Sequence, residues 1–142
     1  SQNALFLAQR FQELGLDVHY PGLESHPQHA LMSKQMNPGY GYGGIVAVDI
    51  GDQATANRLM VRMQQKRVGY LAVSLGYFKT LFSPPGHSTS SEIPEDVRHK
   101  MGMGDGLIRF SVGLDNDMER TWTTIRGCLE ELGVGQVKAK TK

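Results

Sequence analysis

Apolar residues return every three or four positions over several stretches of the chain and alternate or run on over others. Ala4, Leu7, Ala8, Phe11 and Leu14 share one helical stripe, so a helix is expected over 3–14, with Gly15 as its left-handed stop. A short extended piece at 18–20 is halted by Pro21-Gly22, and Ser25-His26-Pro27 suggests a second helix start, running to about 36. The apolar run over 45–50 reads as a strand, and Asp52 can cap a helix over 53–66 whose stripe is Ala56, Leu59, Met60 and Met63. Gly69 is expected to end that helix region, as Gly133 ends the last helix, and 69–76 alternates as a second strand. A polar loop is expected over 80–91, then a short helix over 94–102. The third strand, 106–113, puts Ile108, Phe110 and Val112 on one side and Leu107, Arg109 and Ser111 on the other. Asp115, Asn116 and Asp117 open a final helix striped by Met118, Trp122, Ile125, Leu129 and Leu132.

The tail carrying Lys138, Lys140 and Lys142 reads as frayed. With no internal repeat and no long linker, 142 residues make one domain, 1–142. Fifteen basic against fourteen acidic side chains leave a net charge of +1, which argues against nucleic acid and anionic membranes as partners. No apolar run approaches the ~18 residues of a membrane span, and no secretory leader is visible. One cysteine, Cys128, excludes an internal disulfide framework. The chain opens Ser1-Gln2-Asn3 directly into the apolar stripe, without methionine, which suggests a helix cut in its middle. Seventeen glycines imply frequent turns or close backbone approach.

Few residues invite chemistry. His26 and His29 have helical metal spacing but lack an evident third ligand, so a surface role is the stronger reading. The tyrosine-glycine loop over 40–44 lacks a phosphate-binding ending, and Gly102-Met103-Gly104-Asp105-Gly106 precedes a strand where a nucleotide fingerprint would precede a helix. Cys128, beside Leu129, reads as packing. Arg109 is different. A guanidinium within an apolar strand needs a partner, either an internal carboxylate or an anionic ligand, and its planar fork suits a bidentate carboxylate. Ser74 and Thr89 are natural helpers in binding an anion.

Several motifs then combine. Tyr20-Pro21-Gly22-Leu23-Glu24-Ser25-His26-Pro27-Gln28-His29, Gly43-Gly44, Ala72-Val73-Ser74-Leu75-Gly76, Ser88-Thr89-Ser90-Ser91-Glu92-Ile93-Pro94 and Asp105-Gly106-Leu107-Ile108-Arg109-Phe110-Ser111-Val112-Gly113-Leu114 stand in that order. Together they resemble the C-terminal domain of the pyridoxal-phosphate-dependent enzymes of cysteine and methionine metabolism, across essentially the whole chain. The resemblance implies a small, mainly antiparallel sheet with helices on one side, an α/β (α+β-like) domain of a fold-type I transferase. Pattern alone, with strands alternating with helices, would have suggested a parallel doubly wound sheet. It further implies that the cofactor pyridoxal 5'-phosphate and its lysine belong to a large upstream domain, and that this domain alone is inactive.

By the same resemblance, Arg109 holds the substrate's α-carboxylate, Ser74 adds hydrogen bonds, and Thr89 supports the arginine. Val73, just before that serine, stands where the reaction type varies. Valine there resembles methionine γ-lyase or the sulfhydrylases more than the cystathionine enzymes, and the implied order is methionine γ-lyase, then a cystathionine β- or γ-lyase, then O-acetylhomoserine sulfhydrylase. The loop Ser83-Pro84-Pro85-Gly86-His87-Ser88-Thr89 departs from the family's commoner methionine-threonine-histidine form. The implied parent is a cytoplasmic tetramer that acts on a sulfur amino acid. The rival from another class is a stand-alone, non-catalytic binding or oligomerisation domain of the same architecture.

Overall fold

The computed structural model describes residues 2–36, 41–72, 79–84, 96 and 105–135. Helix α1 (Gln2–Glu13) leads into β1 (Asp17–His19), then α2 (His29–Gln35), β2 (Ile45–Asp49) and α3 (Gln53–Gln65). Strands β3 (Tyr70–Leu71), β4 (Leu81–Ser83) and β5 (Leu107–Ser111) precede the closing helix α4 (Met118–Glu131).

The five strands form one sheet in the order β1-β2-β5-β4-β3. Three of its four pairings are antiparallel and only β3 with β4 is parallel. The sheet is thus mainly antiparallel, as the resemblance implied and against the doubly wound pattern. Val46, Val48, Phe82, Ile108 and Phe110 join the core with the buried stripes of α1, α3 and α4. Phe11 anchors this layer, with its ring 5.3 Å from Phe110 and edge-on to Trp122 at 5.2 Å.

Local chemistry explains the helix ends. Asp52 accepts the Thr55 amide at 2.7 Å and Asp117 accepts that of Arg120 at 3.1 Å, so each carboxylate caps its helix. Gly15 and Gly133, at φ 82° and 74°, close α1 and α4 in the left-handed conformation. For α3 the expectation at Gly69 fails. Arg67 takes the left-handed position, at φ 63°, two residues earlier. Gly69 serves close approach instead: a Cβ there would lie 2.1 Å from the Thr80 carbonyl oxygen, which accepts the Tyr70 amide.

Two further expectations are corrected. Residues 21–28 do not begin a helix; successive i→i+3 turns link Tyr20 to Leu23, Leu23 to His26 and His26 to His29, and α2 starts only at His29. Pro27 gives the reason, because it has no N–H to donate and pushes His26 out of the helical region. And 80–91 is not wholly a loop, since Leu81–Ser83 is a fully buried strand paired to β5. The short helix expected over 94–102, the strand residues 73–76, Tyr40 and the tail over 136–142 lie outside the described residues, apart from Asp96, which is helical.

Candidate functional site

Alternation along β5 sorts its residues. Ile108 and Phe110 enter the helix-covered core, so Leu107, Arg109 and Ser111 belong to the opposite face. Registration places Ala47 of β2 on one side of Arg109 and Ser83 of β4 on the other, so the three make one row across the sheet centre. Arg109 is half-buried, and its Nη2 donates to the Ser83 hydroxyl at 3.2 Å. Ser83 itself is only 3% exposed. Ala47 offers no side-chain acceptor, so in this row the hydrogen bond shown for the guanidinium is the one to Ser83 of β4.

The segment that follows β5 is held from several directions. Val112 donates its amide to the Gly44 carbonyl at 2.7 Å, and the Gly113 amide donates to the buried Thr80 hydroxyl at 3.0 Å. Asn3 in the first turn of α1 donates to the carbonyls of Gly113 and Asp115, at 3.1 and 3.2 Å. Asp115 meanwhile accepts from the Asp117 amide and the Thr121 hydroxyl. These bonds fix the exit of the strand and with it the backbone register at Arg109.

Of the other site candidates, Val73, Ser74 and Thr89 lie outside the described residues. His26 Nδ1 accepts the Gln28 amide at 3.1 Å. His29 Nδ1 lies 2.7 Å from the Pro21 carbonyl, which can only accept, so that nitrogen carries the proton. His29 also stacks on Tyr42, 5.1 Å between ring centres. Both histidines are therefore engaged in local structure, and among the described residues no group of three or more His, Cys, Asp or Glu is gathered for a metal. Cys128 is buried in the core, where loss of solvent pushes its thiol pKa up and leaves it in the unreactive protonated form.

Sequence reasoning missed Ser83. Its signal was present in the run Phe78-Lys79-Thr80-Leu81-Phe82-Ser83, rich in strand formers, with Pro84 as a strand stop. The expectation of one polar loop over 80–91 hid it.

Residues 1–120 match the family of Cys/Met metabolism PLP-dependent enzymes. The chain belongs to that family. Over 124 residues it is 44% identical to a methionine gamma-lyase of Arabidopsis thaliana, covering 87% of this chain and 28% of the relative. A cystathionine beta-lyase of Coxiella burnetii is 36% identical over 116 residues, 80% of this chain and 29% of that one. Among solved structures, a putative O-acetylhomoserine (thiol)-lyase of Campylobacter jejuni, carrying a pyridoxyl-lysine phosphate group, superposes with a TM-score of 0.80 at 28% identity. It covers 92% of this chain and 30% of that one. A cystathionine gamma synthase of Xanthomonas oryzae in complex with cystathionine gives 0.78 at 27%, over 93% and 33%. The chain thus spans about three-tenths of the length of these relatives.

Pyridoxal phosphate is the cofactor of this family of lyases and synthases. A lysine that bears it acts as an amine where desolvation or a neighbouring cation lowers its pKa. Lys34, Lys66 and Lys79, the lysines among the described residues, are all exposed. Those residues do not fit the cofactor's anchoring role.

Proposed function

We propose that this chain is the C-terminal, substrate-carboxylate-binding domain of a PLP-dependent enzyme that cleaves the C–S bond of a sulfur amino acid. The observation that carries the proposal is Arg109, a half-buried guanidinium at the middle of a central strand, on the face away from the helix-packed core. A planar fork in that position suits two parallel N–H···O bonds to a carboxylate. Held there, the substrate's α-carboxylate fixes the direction of its Cα–H bond, and that geometric restriction is what a proton abstraction at Cα requires. Ser74 adds hydrogen bonds to the same carboxylate, Thr89 supports the arginine, and Val73 contributes to the choice of side chain.

Methionine γ-elimination is the first choice of reaction, supported by the 44% identity to a plant methionine gamma-lyase. Cystathionine β- or γ-lyase and O-acetylhomoserine sulfhydrylase are the alternatives. The cofactor and its lysine fall to the large domain of the parent, a cytoplasmic tetramer, and the present chain alone is inactive. Free pyridoxal phosphate added to it should develop no absorbance band of a lysine-bound cofactor; such a band, with turnover, would overturn the division of labour. In the full-length enzyme, Arg109→Ala should raise KM and lower kcat/KM by roughly 100-fold, the size expected for loss of a charge-assisted bidentate pair. An unchanged kcat/KM refutes the carboxylate role.

A further inference from the structure

Resting on the reading of Arg109 as the carboxylate holder, we propose that Ser83 is a positioning residue for it, helping to set the guanidinium's orientation before substrate arrives. Three observations lead there. Ser83 is registered directly opposite Arg109 across the β4–β5 pair, and its Oγ accepts from Nη2 at 3.2 Å. It is nearly fully buried in a strand whose three residues are all buried, so its Cα cannot wander. On the other side of Arg109 the row is filled by Ala47, whose methyl cannot accept a hydrogen bond.

The row Ala47–Arg109–Ser83 is therefore asymmetric and leans the arginine toward β4. An arginine side chain has four rotatable bonds, and freezing them at the moment of binding subtracts from affinity. A tether at one terminal nitrogen removes part of that loss beforehand. The chemistry of the tether matters as much as its place. A serine hydroxyl is neutral, so it holds the guanidinium without cancelling the charge that attracts a carboxylate; aspartate or glutamate at 83 would compete with the substrate for it.

The test uses the full-length enzyme with L-methionine as substrate. Ser83→Ala should raise KM roughly three- to tenfold, the size expected for one ordinary lost hydrogen bond, with kcat within about twofold. In an Arg109→Ala background the same substitution should add nothing, because the group it orients is gone. Binding of 3-(methylthio)propylamine, which lacks the carboxylate, should be alike in S83A and the parent. Equal weakening of amine and amino acid would mean a general structural role and overturn the proposal, as would a full S83A effect persisting without Arg109. Ser83→Ala without effect beside a damaging Arg109→Ala sinks the positioning role alone; an innocuous Arg109→Ala sinks the carboxylate reading on which it rests.

Discussion

Helices α1, α3 and α4 end in the same two-bond turn, yet one of the three uses the wrong residue for it. Gly15 donates to Gln12 and Leu16 to Phe11; Arg67 donates to Gln64 and Val68 to Met63; Gly133 donates to Glu130 and Val134 to Leu129. Each turn requires positive φ at its pivot, which is 82° at Gly15, 63° at Arg67 and 74° at Gly133. Left-handed backbone costs a residue with a Cβ roughly 1–2 kcal/mol. Glycine's greater freedom in the unfolded chain takes back roughly 0.5–1 kcal/mol. Arg67→Gly should therefore stabilise by about 0.5–1 kcal/mol, a rise of roughly 1–4 °C in Tm at this chain length. The reverse change is equally clean at Gly133, where a Cβ would meet nothing within 4 Å, leaving backbone strain as the whole effect. Gly133→Ala should lose about 1 kcal/mol. Thermal and urea unfolding followed by circular dichroism measure both, with Arg67→Ala as the control that removes the guanidinium and keeps the strained φ. A gain in Arg67→Ala equal to that of Arg67→Gly, or a loss in Arg67→Gly, refutes the backbone account.

Two other predictions concern the rest of the scaffold. Gly69→Ala forces a Cβ to 2.1 Å from the Thr80 oxygen and 2.9 Å from its carbonyl carbon, atoms of backbone that cannot swing aside. It should cost roughly 2–4 kcal/mol and unprotect the Tyr70 and Ala72 amides in hydrogen exchange, whereas an unchanged urea midpoint would contradict that contact. The Asp52 carboxyl is held below its ordinary value, first by the Thr55 amide and then by the Thr55 hydroxyl. Its stabilising share is thus present above the unfolded pKa, about 4, and lost as pH falls through the lower folded value. Asp52→Asn keeps a capping oxygen but cannot titrate, so its stability should fall less steeply between about pH 4 and 2 than the parent's; equal slopes would exclude the cap as a source.

Helices were the legible part of this sequence because their evidence is local. The stripes Ala4–Leu7–Ala8–Phe11 and Ala56–Leu59–Met60–Met63 repeat within one element, and the carboxylates at Asp52 and Asp117 act within three residues of their partners. Strand order is different, since no local pattern says that β5 lies between β2 and β4, whose residues opposite Arg109 are Ala47 and Ser83, 62 and 26 positions earlier. The family motifs supplied the antiparallel arrangement that periodicity alone misassigned. Arg109 was found because a charge in an apolar strand conflicts with its surroundings. Ser83 was passed over because serine before two prolines conflicts with nothing, and only the pairing of β4 with β5 gives its hydroxyl a purpose.

The sheet itself narrows where this domain can meet a ligand. Its helix-covered face is committed to packing, with Val46, Val48, Phe82, Ile108 and Phe110 buried against α1, α3 and α4. Ligand contact from β5 must then come from Leu107, Arg109 or Ser111, and of these Leu107 and Ser111 are buried while Arg109 is the more open. Moving the arginine by one residue in either direction would send a guanidinium into the aromatic layer around Phe11 and Phe110, where an ion without a partner is untenable. Moving it by two would take it out of the row with Ser83. Position 109 is thus the place on the central strand where one side chain can be tethered by a buried hydroxyl and still reach outward. A carboxylate presented to this face would meet that fork before any other cation of β2, β4 or β5, because those strands carry no second basic residue.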